Sequence, residues 1–153
     1  KPNNLRILIE KATELGVSKL CPIITERTNI KSFNRKKAML HIKEASEISE
    51  RLSLPVIDND ISLNELMKKI REEKEKLIFC NESKKDIFLF IYFKENFSEK
   101  VSFLIGPEGG FSEKEKNMIL GNKHVVSVKL NDRVIKAETA AILALSIYNC
   151  YIE

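Results

Sequence analysis

The residues best suited to chemistry in this sequence fall at two places. The first is Ile105-Gly106-Pro107-Glu108-Gly109-Gly110, which holds three of the chain's five glycines. Glycine lets a backbone approach a ligand closely and supplies positive φ where a turn needs it. The segment follows the strand-like run Val101–Ile105 and precedes Ser112 and Glu115, a capping box that opens a helix. A helix start presents unpaired N–H groups to an acceptor, and α/β sheets bind ligands beyond the C-terminal ends of their strands. An ordinary strand-to-helix turn would use the same glycines. The second place is the loop from Leu130 to Ala140, which again joins a strand pattern (Val125–Leu130) to a helix pattern (about Glu138–Tyr151). Glu138 or Thr139 suits the start of that helix by dipole or cap. Arg133 and Lys136 put two cations at the same rim as the glycine turn. A capped helix with a solvated loop explains Glu138 and Thr139 well and Arg133 poorly.

Other chemistries lack their residues. The phosphate-loop pattern GxxxxGK(S/T) and the dinucleotide turn GxGxxG are both absent. So are HExxH, GxSxG and any paired-histidine spacing. His41 and His124 stand alone, and no metal is expected. Cys21, Cys80 and Cys150 are an odd, scattered set without CxxC, which fits reduced thiols in a cytoplasm rather than disulfides or a zinc knuckle.

The elements that must position the two loops fit in one domain. The chain has 153 residues, 43% hydrophobic and 31% charged, values of a globular chain. The longest apolar run, Ile87–Phe93, is far too short for a membrane span, so no membrane partner is expected. The net charge of +4 is uneven: residues 1–51 hold 11 basic and 6 acidic residues, and the remainder is nearly balanced. That surplus suits a polyanion or a plain lysine-rich surface.

Asn3 and Asn4 are candidate caps for a helix with Leu5, Leu8, Ile9, Ala12 and Leu15 on one stripe, ended by Gly16. Leu20–Thr25 reads as a buried strand disturbed by Pro22. Arg35–Leu52 reads as an amphipathic helix, and Pro55-Val56-Ile57 as a short strand. Ser62 and Glu65 form another capping box before a helix striped by Leu63, Leu66, Met67 and Ile70. Leu77–Cys80 is a strand, and Asp86–Phe93 fits helix or strand equally. Strands alternating with helices predict an α/β fold with a mostly parallel sheet covered on both faces. The last helix is apolar on more than one side, which a dimer interface would bury.

At the two loops the sequence resembles the 16S ribosomal RNA (uracil-N3)-methyltransferase family, RsmE, of the SPOUT superfamily. The matching residues are Gly106-Pro107-Glu108-Gly109-Gly110-Phe111-Ser112 and Arg133 with Glu138-Thr139-Ala140-Ala141. Upstream, Lys11–Val17 is similar to the family's first-helix motif, Thr25-Glu26-Arg27-Thr28 to its TERS-type turn, and Glu44-Ala45-Ser46-Glu47 with Arg51 and Pro55 to its EAxEQSxR…P stretch. The resemblance covers nearly the whole chain, with the motifs in order.

The resemblance implies a SPOUT α/β domain over residues 1–153 with a deep C-terminal trefoil knot, an exception to the usual absence of knots. It implies S-adenosylmethionine as methyl donor. The cofactor would lie against Leu104, Ile105, Gly106, Glu108, Gly109 and Gly110 on one side, and Leu130, Val134, Ile135, Ala137 and Thr139 on the other. It further implies a cytoplasmic homodimer acting on 16S rRNA in the small ribosomal subunit. Arg133, Arg51 and Glu138 become the candidate catalytic residues, and Arg27, Lys31 and Arg35 the candidate RNA contacts. Arg27 and Arg51 suit structural ion pairs equally. Family members carry an N-terminal PUA-like RNA-binding domain that this chain lacks, and the start at Lys1-Pro2 fits a fragment. Three family patterns are altered. LGPR is Leu130-Asn131-Asp132-Arg133, LRTETA is Ile135-Lys136-Ala137-Glu138-Thr139-Ala140, and EQSGR is Glu47-Ile48-Ser49-Glu50-Arg51. Loss of glycine can forbid a loop's usual backbone angles. Two rival readings stay open: a catalytically impaired dimeric RNA-binding module on the same fold, and a SPOUT methyltransferase with another RNA target.

Overall fold

The structure, a computed structural model, describes residues 2–28 and 33–152. Lys31 lies outside the described residues. Three strands, β5 (Leu77–Cys80), β6 (Ser102–Leu104) and β7 (Val125–Val128), form a sheet in the order β6-β5-β7, parallel throughout. The central strand β5 is buried on both faces, as expected of a parallel sheet. Its alternate residues divide between two cores. Leu77 and Phe79 point to one side, where they meet Leu66, Met67 and Ile70 of α3 (Leu63–Glu73) and Ile119 of α5 (Glu113–Leu120). Ile78 points to the other side and meets Leu89 and Phe93 of α4 (Leu89–Asn96) and Ala144 of α6 (Ala137–Asn149).

The N-terminal region builds a third core between α1 (Pro2–Glu14) and α2 (Arg35–Ile48), centred on Ile9, Ala38 and Ile42. The strand expected over Leu20–Thr25 is broken into β1 (Lys19–Leu20) and β2 (Ile23–Ile24). They pair in parallel with β3 (Val56–Ile57) and β4 (Ile61–Ser62) respectively. The break falls at Cys21-Pro22, where proline has no N–H to give a ladder; its carbonyl still accepts from Ile61 N at 3.2 Å. Asp86–Phe93 resolves into a bridge, Phe88 to Lys129, followed by α4.

Helix ends follow local chemistry. Gly16 has φ +91°, with Val17 N donating to Ala12 O and Gly16 N to Thr13 O, a Schellman stop. Both capping boxes form, at Ser62/Glu65 and Ser112/Glu115. Two expectations need correction. Asn3 and Asn4 lie inside α1 rather than capping it, because the helix already begins at Pro2, a residue suited to a first turn. And α2 stops at Ile48 rather than Leu52. Arg51 N donates to Ser46 O and Glu50 N to Glu47 O, the same Schellman pattern, with Glu50 at φ +54°.

Candidate active site

Because β5, β6 and β7 are parallel, their C-terminal ends share one edge. Below it lies a cavity of about 430 Å³, lined by Phe79–Glu82 at the end of β5 and just beyond it, Ile105–Glu108, Gly110 and Phe111 after β6, and residues after β7 from Leu130 to Ala140. Asn4 of α1 and Lys116 of α5 complete the lining.

The glycine turn is held from several directions. A Cβ on Gly106 would sit 2.9 Å from Phe111 Cε2, so only glycine lets this ring pack where it does. Phe111 in turn is buried edge-on against Phe79, centroids 5.5 Å apart. Gly110 has φ +68° and donates to Pro107 O at 2.8 Å; a Cβ there would meet nothing within 4 Å. Gly109 O accepts from Arg27 Nη1 at 3.0 Å, and Glu108 Oε1 from Asn4 Nδ2 at 3.1 Å. The buried carboxylate of Glu115 closes the capping box by accepting from Ser112 N at 2.9 Å, and its other oxygen accepts from Glu26 N at 2.9 Å. One side chain thus ties the Thr25–Thr28 turn to the start of α5.

The opposite wall is looser. Lys129 docks by pairing with Phe88, by its ammonium 4.3 Å over the Phe88 ring, and by contacts to Asp132 Oδ1 at 2.9 Å and Lys84 O at 3.2 Å. Beyond it, Arg133 N donates to Asn131 Oδ1 at 3.1 Å. The Arg133 guanidinium has no hydrogen bond or ion pair among the described residues, and Val134 is 77% exposed. Lys136 is the residue before α6 and offers no side-chain cap, so the first N–H groups of α6 stay available beside the cavity.

Of the residues expected to hold a cofactor, Ile105, Gly106, Glu108, Gly110, Leu130, Val134, Ile135 and Ala137 line this cavity, together with Arg133. Leu104 does not; it is buried beneath, in the α3–α5 core. Gly109 faces Arg27, and Glu138 and Thr139 sit in the first turn of α6 outside the lining. Arg51 is elsewhere: its Nη1 donates at 2.8 Å to both Thr13 O and Val17 O, so it clamps the end of α1. Arg35 bonds Asp60 Oδ1 at 2.6 Å and reaches Ile57 O.

Sequence reasoning missed Asn4, Cys80, Asn81, Glu82 and Lys116. The strand-end rule, applied to β5 as it was to β6 and β7, would have found Asn81 and Glu82. Asn81 Nδ2 donates to Ser127 Oγ and Asp86 Oδ2, and Ser127 Oγ donates to that same oxygen at 2.6 Å, which fixes the β5 tip against β7. Enclosure of its sulfur pushes the Cys80 thiol up to about 12. It is therefore protonated at neutral pH and no nucleophile.

Fold and site together define an α/β domain that receives a small ligand at the C-terminal edge of a parallel sheet, between a glycine turn and a helix N-terminus. Residues 1–149 match the RNA methyltransferase domain family. The ribosomal RNA small subunit methyltransferase E of Rickettsia conorii is 31% identical over 147 residues, 95% of this chain and 59% of that protein. Among solved structures, a putative methyltransferase of Legionella pneumophila in complex with S-adenosylmethionine superposes with a TM-score of 0.81 at 29% identity, over 96% of this chain and 61% of that one. The methyltransferase E of Neisseria gonorrhoeae, bound to S-adenosylmethionine, gives 0.81 at 26% identity, over 97% and 61%. The chain belongs to the RNA methyltransferase domain family and spans about three-fifths of the length of these relatives.

Proposed function

We propose that this chain is an S-adenosylmethionine-dependent methyltransferase domain that modifies N3 of a uridine in 16S rRNA. The observation that carries the reading is the shared cavity: two loops separated by a helix and a strand in the sequence meet as its opposite walls. Its volume of about 430 Å³ is in the range that takes a nucleoside-sized ligand. The residues fit the cofactor's chemistry. Gly106 and Gly110 leave room beside the backbone, Leu130, Val134 and Ile135 give apolar surface for an adenine, and backbone groups of the turns and the α6 start give polar contacts. When bound, the sulfonium supplies an electrophilic methyl carbon.

The residues have distinct tasks. N3 of uracil is an imide nitrogen and must lose its proton for methyl transfer. Arg133, unpaired at the cavity rim, stabilises the developing uracil anion, and solvent at the open mouth takes the proton. The turn 106–110 and α6 orient the donor for in-line approach. Glu138 complements the α6 dipole rather than touching substrate. Arg51 has no part in this chemistry as a clamp on α1. Arg27 and Arg35, on the more basic N-terminal third, are the described candidates for RNA phosphates.

The reading includes a C-terminal trefoil knot, supported by the likeness to the solved methyltransferases. It includes a cytoplasmic homodimer; exposed Ile48 and Leu52 supply apolar surface for a partner copy. No helix among the described residues is long and apolar enough to cross a membrane. The test is to incubate the chain with labelled methyl donor and small ribosomal subunits and to map the product by mass spectrometry. The expected product is an N3-methylated uridine in 16S rRNA. Cofactor binding with salt-sensitive RNA binding but no transfer would instead favour the RNA-binding module.

A further inference from the structure

We propose that Glu10, His41 and Glu44 form a site for one divalent transition-metal ion of the zinc class, on the α1–α2 face and independent of the cavity at the sheet edge. His41 is 9% exposed, and neither ring nitrogen has a hydrogen-bond partner among the described residues. A neutral imidazole carries one donor and one acceptor and an imidazolium two donors, so burying both nitrogens unsatisfied is unfavourable, and an ion on Nδ1 would relieve one of them. The ring is nevertheless aimed at two carboxylates: Nδ1 lies 3.7 Å from Glu10 Oε1 and 3.9 Å from Glu44 Oε2. Those separations are too long for a shared proton. A cation bound between the groups would draw them together by a few tenths of an ångström or more. An ion about 2.0–2.2 Å from each nitrogen and oxygen donor sets donor–donor edges of about 3.0–3.5 Å. The three ligand atoms already lie within 4.8 Å of one another.

The placement is rigid where it must be. His41 and Glu44 are three residues apart on one face of α2, Glu10 faces them from α1, and Ile9 and Ile42, adjacent in sequence to the ligands, are buried in the core that joins the two helices. Two carboxylates and a neutral imidazole balance a dication. One nitrogen with two oxygens favours a zinc-class ion over magnesium, which prefers oxygen alone. Glu44 is mostly exposed, so water can fill the remaining positions. Arg6 Nε holds Glu10 Oε1 at 2.6 Å and competes for it, but Arg6 is itself half exposed. With an ion bound it moves to the second oxygen, as an outer hydrogen bond that orients the ligand. Sequence spacing concealed the set because Glu10 comes from a different helix.

The experiment titrates chelator-treated chain with Zn²⁺ by calorimetry, with Co²⁺ by visible absorption and with Mg²⁺ as control. One Zn²⁺ per chain is expected, with a rise in Tm of about 5 °C at saturation. The Co²⁺ spectrum should lack thiolate charge-transfer bands. Glu44→Gln, a mostly exposed position that leaves folding intact, should weaken Zn²⁺ at least about tenfold, and His41→Gln should abolish binding. Absence of Zn²⁺ binding at millimolar concentration would overturn the proposal. So would a thiolate band, an equal response to Mg²⁺, or unchanged affinity in Glu44→Gln. None of these readouts depends on methyl transfer.

Discussion

The two walls of the cavity do the same job by opposite means. The glycine turn 106–110 is tied down by Arg27, Asn4, Phe111 and, just beyond it, the buried carboxylate of Glu115. The loop 131–136 has one internal bond, from Arg133 N to Asn131 Oδ1, an exposed Val134 and an uncapped helix start. The first wall is shaped before any ligand arrives. The second keeps its donors and its cation free, and a ligand is what would engage them. On the proposed reading, rigidity on one side would fix where a reacting atom sits, and unpaired groups on the other would respond to charge that develops there.

The largest expected effect attacks the rigid wall. Glu115→Ala leaves Ser112 N and Glu26 N without their acceptor and should lower stability by about 2–3 kcal/mol in urea unfolding. The Thr25–Thr28 turn should lose amide-exchange protection with it. Gly106→Ala should cost about 1–3 kcal/mol, since the new Cβ would press on the Phe111 ring at 2.9 Å; its cofactor affinity should fall as the ring shifts. No comparable loss is expected from Arg133→Ala, which removes no bond among the described residues.

Smaller effects concern Glu50 and Asn131, where the family pattern this chain resembles has glycine. Glu50 sits at a left-handed position, φ +54°, where an L side chain is strained. Glu50→Gly should therefore stabilise by about 1 kcal/mol, read as a higher urea midpoint. Asn131 carries no such strain, because that residue keeps negative φ and its side chain bonds Arg133 N. Lys136→Ser would give α6 the cap it lacks. The expected gain is about 0.5–1 kcal/mol in thermal unfolding, paired with weaker cofactor binding as the helix N–H groups become occupied.

Much of this was readable from local chemistry. The Schellman stop at Gly16 and both capping boxes involve residues within five positions of each other. The strands at 77–80 and 125–128 announce themselves by apolar, β-branched runs. Both cavity loops were found because each follows a strand and precedes a helix. What stayed hidden depends on distant partners. Pro22 split a strand whose two halves find separate mates, and Asn4 reached Glu108 from the far end of the chain. Arg51 suited a catalytic and a structural role equally by motif; its Nη1 donates to two carbonyls of the α1 terminus that no spacing rule connects to it.

The central claim is that the turn at 106–110 and the loop at 130–137 form one pocket for a sulfonium nucleoside. Calorimetric titration of the chain with S-adenosylhomocysteine, beside Gly110→Trp, tests it most directly. The account predicts one site per wild-type chain, and its loss in the variant while cooperative unfolding is retained, because the indole would occupy the open space that Gly110 faces. No heat at millimolar ligand, or equal affinity in the variant, would contradict it.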